Sequence, residues 1–395
     1  MRLAPPIAAT AQSTPPVLWA LLFGNFVIGT GVMVVPGTLS DISSSLHVPV
    51  AQAGQLITAG GILMALGAPT LAAVVAGWDR RRLLTLTLVW YAVLHAACAF
   101  MPTFASLMVV RVLALVAPAI FTPQVAACVG LLVPPGQQGR AITFVFLGWS
   151  VASVLGMPLA AWVGGTLGWR FAFGLVGALA LGSALWVWRR MPDGVKPPAL
   201  SAAAWRETLS CAPLMLCIVV TTLYSAGQFV LFAYFSPYYK LRLNVTPLQL
   251  SFLFAWFGAF GLLGNLWMSR NIDRLGPSRC VLSGIALMAT SLLLWPLGTS
   301  VVLVALVTVP WALGAFSSNS AQQARLVAIA PTLAAASVAL NTSAMYAGQA
   351  IGAASGGWLV AHDRMDQLHW AGLAGVVCAM LFSIQAARMT ARRSP

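Results

Sequence analysis

Charge is what this chain has least of. Charged residues make up 7% of its 395 positions and only seven are acidic, whereas soluble domains carry about 25%. So low a share excludes a soluble globular protein; a hydrophobic fraction of 60% and a mean hydropathy of +0.89 describe an integral membrane protein. Cysteine is sparse too: the six residues at 98, 128, 211, 217, 280 and 378 form no Cys-x-x-Cys pair, and they read as small apolar packing residues rather than disulfide or metal ligands. There is no nucleophile–base pair, metal-ligand cluster or phosphate-binding Gly-Lys loop, which argues against a membrane enzyme and leaves no cofactor or metal to expect. The net charge of +14 would suit a nucleic-acid partner only if it were clustered, and it is spread along the chain instead.

What the chain has in quantity is long apolar stretches. A transmembrane helix needs about 20 such residues, and twelve windows qualify, at approximately 17–38, 52–76, 83–101, 105–130, 141–164, 171–188, 212–236, 249–269, 280–298, 301–323, 335–360 and 370–387. Two features recur along them. Asp79-Arg80 and Asp273-Arg274 stand 194 residues apart, each just past an apolar stretch; Gly164-Gly165 and Gly356-Gly357 stand 192 apart, each closing a glycine-rich one. The expected fold is therefore all-α: twelve transmembrane helices in two pseudo-symmetric six-helix bundles, at 1–188 and 212–395, with residues 189–211 as a cytoplasmic linker. Trp205 and Arg206 in that linker suit a short helix on the membrane surface.

Cytoplasmic loops are rich in Lys and Arg. With the N-terminus inside, 16 of the 21 basic residues fall on cytoplasmic segments: Arg2, Arg80, Arg81, Arg82, Arg140, Arg189, Arg190, Lys196, Arg206, Arg270, Arg274, Arg279, Arg325, Arg388, Arg392 and Arg393. Arg111, Arg170, Lys240, Arg242 and Arg364 fall in or beside outer-facing parts. Both termini are then cytoplasmic, as an even number of spans requires. The first span follows Ala4-Pro5-Pro6 and Ser13-Thr14-Pro15-Pro16 without an evident cleavage site, and reads as retained rather than as a signal peptide.

The segment Phe26-Val-Ile-Gly-Thr-Gly31 through Pro36-Gly37, then Ala51-Gln-Ala-Gly54, Gly67-Ala-Pro69 and Asp79-Arg-Arg-Arg-Leu83, resembles the major facilitator superfamily, more narrowly its drug:proton antiporter and sugar-efflux branch. Arg111, Gly156-Met-Pro158, Gly164-Gly165 and Gly168-Trp-Arg170 extend the likeness, which covers most of the chain and is densest over 20–175. The resemblance implies alternating access and places an Arg such as Arg111 beside the first span in support of proton transfer. It implies an acid where this chain has Val32, and sometimes another where it has Gly24; neither is present. It also implies a Gly one residue after each Asp-Arg pair. The second copy keeps it at Gly276, whereas the first has Arg81-Arg82.

Each candidate has a plainer reading beside the functional one. Asp79, Arg80, Asp273 and Arg274 read as conformational latches, acid against a helix N-terminus and Arg against helix-end carbonyls or lipid phosphates, or else as simple inside anchors. Gly156, Pro158, Gly165, Gly352 and Gly356 thin helix faces; the resemblance assigns such faces to the seam between halves, and ordinary tight packing is the alternative. Arg111 is a charge inside a span, hence a candidate for the site by default, unless it snorkels to the interface. Asp41, alone among the seven acids, lies near the outer end of the path. The coupling candidates are therefore Asp41 and Arg111, with two alternatives: the substrate carries the proton, or transport is uncoupled. A lone His95 in a span reads more readily as packed than as titrating. The substrate path is drawn from polar and aromatic residues in apolar spans: Asn25, Gln55, Arg111, Gln124, Trp149, Tyr224, Gln228, Trp256, Asn319 and Tyr346.

The function expected from all this is a monomeric secondary transporter of the inner membrane, exporting a small organic compound, with protons and membrane lipids as further partners and no nucleic acid. The alternative is an importer or uncoupled facilitator, for which Arg111 without a central acid would suit an organic anion.

Overall fold

The computed structural model describes residues 15–129, 131–134, 137–197 and 202–391, and every regular element among them is a helix. Arg2, Arg392 and Arg393 of the charge distribution, the stretch from Ala4 to Thr14, and residues 198–201 of the linker lie outside the described residues. The first six helices are α1 (Pro16–Ser45), α2 (Val50–Val74), α3 (Arg80–Phe100), α4 (Phe104–Val129, interrupted at Leu115), α5 (Gln138–Thr166) and α6 (Trp169–Arg190). A short linker helix, Ala202–Ser210, precedes α7 (Ala212–Leu243, interrupted at Ala233), α8 (Pro247–Leu275), α9 (Pro277–Leu297), α10 (Val301–Ile329), α11 (Ala334–Ala361) and α12 (Met365–Thr390). Eleven of the twelve are long and apolar enough to cross a membrane; α11, rich in Gly, Ala and Ser, is not among them.

Local chemistry sets the ends. Asp79 caps α3 by accepting from the Arg82 N–H, while Thr103 with Ser106 and Thr246 with Gln249 form capping boxes at α4 and α8. Prolines shape the interiors. Pro118 has no N–H for the Ala114 carbonyl and Pro237 none for that of Ala233, and α4 and α7 break beside those carbonyls. In α5 a π-helical turn, Ala152–Gly156, precedes Pro158; there the Met157 N–H reaches back five residues to the Ala152 carbonyl. Pro36 leaves the Val32 carbonyl without its helical donor, yet α1 runs on.

The two bundles repeat one frame. The helix starts pair as Pro16 with Ala212, Val50 with Pro247, Arg80 with Pro277, Phe104 with Val301, Gln138 with Ala334 and Trp169 with Met365, each 196 or 197 residues apart. The Asp-Arg pairs, 194 apart, are out of step with that frame. Asp79 precedes α3, whereas Asp273 lies in the last turn of α8, ahead of a Gly276 turn at φ 83° that glycine adopts freely. In the first copy Arg81 is already helical and no such turn exists, so the missing Gly has a local cause.

Within the first bundle α1 packs on α5 and α6, and α3 on α6; within the second, α7 packs on α11 and α12, and α9 on α10. The bundles meet along α2–α11 and α5–α8, and where the end of α1 reaches α7. These contacts gather toward the face that carries Asp41. The largest apolar cluster takes Leu39, Ile42 and Phe173 from one half and Phe254 and Trp295 from the other. Toward the opposite, Asp79 face, Leu18, Leu84 and Val187 form a cluster of the first half alone, and Leu214, Leu326 and Ala386 one of the second. The halves are sealed at one face and separate toward the other.

Candidate functional site

Arg111 is 2% exposed on α4, and its guanidinium lies against α1. Nη2 donates to the carbonyls of Gly31 (2.7 Å) and Val32 (3.3 Å), the second being the one that Pro36 leaves without a donor. Nη1 lies 3.0 Å from His95 Nε2 on α3, and His95 Nδ1 lies 3.0 Å from the Tyr91 carbonyl. A guanidinium only donates and a carbonyl only accepts, so His95 is the neutral tautomer with its proton on Nδ1. Phe173 covers the guanidinium, its ring centre 5.6 Å away. Arg111 therefore does not snorkel, and all its partners are neutral. Its Nε is buried without a partner, beside a small void of about 10 Å³ lined by Val32, Gly60, Met64 and, from the second half, Gln349.

Two polar networks occupy corresponding places in the halves. In the first, Asn25 donates from Nδ2 to the Val145 carbonyl (3.3 Å), the Thr122 hydroxyl donates to Asn25 Oδ1 (3.0 Å), and Trp149 Nε1 donates to Thr122 (3.4 Å). In the second, the Thr221 hydroxyl donates to Asn341 Oδ1 (2.6 Å) and Asn341 Nδ2 to Asn319 Oδ1 (3.1 Å). Asn25 pairs with Thr221 and Val145 with Asn341 at a separation of 196, and Thr122 with Asn319 at 197. Each network ties together three helices of one half. The remaining path residues scatter. Tyr346 clusters with Val32, Met64 and Leu115 of the first half, with Trp149 packed against them. Gln228, at the position equivalent to Val32, accepts from Trp311 (3.3 Å). Trp256 donates to the Ala305 carbonyl inside the second half (2.8 Å); Tyr224 and Gln124 are buried, and Gln55 is exposed on α2.

At the sealed face Asp41 pairs with Lys240 of α7, Oδ1 to Nζ 2.7 Å. Beside them the hydroxyls of Ser40 and Ser236 are 3.4 Å apart, and the Ser251 hydroxyl donates to the Pro158 carbonyl (2.9 Å). Gly165 abuts Pro247 of the other half, whereas Gly156 faces Thr30, and Gly352 and Gly356 face α7, each within its own half. At the opposite face Asp79 Oδ2 accepts from the Gly194 N–H (2.6 Å), Arg80 donates to the carbonyls of Val75, Ala76 and Trp78, and Arg81 pairs with Asp193 (2.6 Å). The first loop is thus tied to the end of α6 and the linker. The side chains of Asp273 and Arg274 are exposed and have no hydrogen bond or ion pair among the described residues.

His95, Lys240, Thr122, Thr221 and Gln349 were not named as site residues by sequence reasoning. The 196-residue spacing would have flagged Thr221 from Asn25, and Pro36 would have flagged an orphaned carbonyl at Val32 for Arg111 to meet. Gln349, an amide inside the window 335–360, carries the same signal as the path residues that were named.

The family model described as Major Facilitator Superfamily matches residues 21–353 and, separately, 217–394. The chain is 27% identical over 371 residues to the "Uncharacterized MFS-type transporter YbcL" of Bacillus subtilis, covering 93% of this chain and 94% of that one. It is 27% identical to a "Probable sugar efflux transporter" of Mannheimia succiniciproducens, over 92% of this chain and 90% of the relative, and 31% identical to a "Chloramphenicol resistance protein" of Streptomyces lividans, over 65% and 67%. Among solved structures, an inward-facing bacterial homologue of the lysosomal transporter Spinster superposes with a TM-score of 0.76 at 16% identity, covering 95% of this chain and 97% of that one, a likeness of fold.

Proposed function

The chain belongs to the Major Facilitator Superfamily, and from that membership we propose that it exports a small organic compound across the cell inner membrane by alternating access. The observation that carries this reading is the seal at one face only, made by Asp41–Lys240, Ser40–Ser236 and Ser251–Pro158, with the halves parted at the other. Arg80, Arg81, Arg82, Arg140, Arg189, Arg190, Arg270 and Arg279 all lie at or near the parted face, which supports reading that face as the cytoplasmic one. This shape then opens toward the inside, the side from which an exporter loads. The efflux and drug-resistance functions in the names of two relatives support this direction.

The halves, 1–188 and 212–395, rock as bodies on the linker 189–211, whose Asp193, Gly194 and Val195 hold the loop after α2. Asp41 serves as a gate: its pair with Lys240 holds the outer face shut, and losing that pair favours opening.

The test is a bridge across the seal. With Ser40→Cys and Ser236→Cys joined by a short bifunctional reagent, efflux of chloramphenicol or of a monosaccharide panel from cells should stop, and should resume when a cleavable bridge is cut. Efflux that continues through a fully bridged population would end the alternating-access reading.

A further inference from the structure

Arg111 is a buried cation with no counter-charge. Only two ion pairs occur among the described residues, Arg81–Asp193 and Lys240–Asp41, and the one acid near the path is therefore taken. The guanidinium's partners, His95 and two carbonyls, are neutral, and its Nε has none. An unpaired charge in a membrane interior is costly, so it persists where a function needs it.

The frame itself does not need a cation at this place. The residues corresponding to His95 and Arg111, 197 on as for the other residues of α3 and α4, are Leu292 and Thr308, and there a hydroxyl donates to the Val304 carbonyl (2.9 Å). A neutral donor would likewise serve the carbonyl that Pro36 orphans. What the positive charge adds is attraction for an anion.

Arg111, whose Nε has no partner, lines the void between α1, α2, α4 and α11, and Gln349 of α11 lines the same void from the other half. Gln349 is 7% exposed, and its amide has no hydrogen-bond partner among the described residues. The other walls are apolar: Val32, Leu56, Met64 and Leu115. At about 10 Å³ the void holds a single water; a larger guest enters only as the halves part.

We propose that Arg111 and Gln349 form an oxyanion site shared between the halves, and that the exported compound is an organic monoanion, a carboxylate on an apolar body. The carboxylate accepts from Arg111 Nε and from the Gln349 amide, and the apolar body lies against Val32 and Met64. This deepens the export reading and rests on it. It also supplies the driving force, since an interior-negative membrane potential performs work on every negative charge that leaves. A chain that exports anions needs no central proton-binding acid, and Val32 stands where such an acid would be.

The test uses purified protein in vesicles loaded with benzoate, salicylate, naphthoate or octanoate, each paired with its neutral amide. A potassium diffusion potential, negative on the loaded side, should speed release of the acids at least tenfold over the amides, and a pH gradient alone should not. Gln349→Leu, which leaves the Arg111 contacts to α1 intact, should raise KM for the acids about tenfold without changing any residual release of the amides. Arg111→Gln should remove the preference for the acids over the amides. Release of amides as fast as acids would overturn the anion site while leaving the export reading standing. Release of neither, at any potential, would overturn both.

Discussion

Ser40 and Ser236 occupy the same place in the two halves, 196 residues apart, and their hydroxyls meet at 3.4 Å. Equivalent residues touch each other only where a pseudo-two-fold axis passes between them, so the seal sits on the axis about which the halves are related. Asp41 and Lys240, beside that axis, break its symmetry with opposite charges.

Asp41→Asn removes the ion pair and leaves Lys240 partly buried without its partner. The sealed state should lose roughly 1–2 kcal/mol, about a tenfold shift toward outward opening. Distances between spin labels across the outer ends of α1 and α7 report it. The exchange Asp41→Lys with Lys240→Asp should restore the wild-type distribution; if Asp41→Asn leaves that distribution unmoved, the pair does not gate.

Gly258 of α8 rests on the backbone of α5, where an added Cβ would lie 2.7 Å from the Ser153 carbonyl carbon and 2.8 Å from Val154 Cα. Gly258→Val should prise the halves apart along α5–α8 and slow transport at least tenfold, with an engineered cysteine near Ser251 becoming reactive from outside. Gly182→Ala, which meets nothing within 4 Å, is the control and should behave as wild type.

His95→Leu leaves Arg111 Nη1 buried without an acceptor, at a cost of about 1–3 kcal/mol. The thermal midpoint in detergent should fall by several degrees, and His95→Gln, which offers a carbonyl oxygen, should recover part of the loss. An unchanged midpoint in His95→Leu would mean that the neutral imidazole does not hold the guanidinium.

In the second half, Thr221, Asn319 and Asn341 form a single network. Asn341→Leu should therefore destabilise more than Asn341→Leu adds in a Thr221→Val background, with a coupling of about 1 kcal/mol from thermal or denaturant unfolding. Strict additivity would show that the hydrogen bonds do not act together.

Eleven of the twelve spans were legible because twenty apolar residues in a row have few alternatives, and Arg111 was legible because a charge inside such a row is conspicuous. Its surroundings were not. Arg111, His95 and Pro36 lie on three helices, and hydropathy says nothing about which helix faces meet. The repeat was visible but misregistered: Asp79 and Asp273 suggested 194 residues, whereas Asn25 with Thr221 and Gly156 with Gly352 stand at 196. Loop residues follow local turn chemistry, an N-cap in one copy and a glycine turn in the other, while buried residues follow packing. Glycine spacing likewise showed that a face was thin without showing what lay against it: Gly165 meets the other half, Gly156 and Gly352 their own.

The π turn of α5 is a dislocation, one surplus residue held in an otherwise regular rod, and a dislocation can glide. Each α-helical residue turns the chain by about 100°. Carrying the surplus from Ala152–Gly156 to the far side of Pro158 would spin the segment between through that angle, swinging the Pro158 carbonyl away from Ser251 while both ends of the rod stay in place. Helix α5 thus stores a rotation beside the seal.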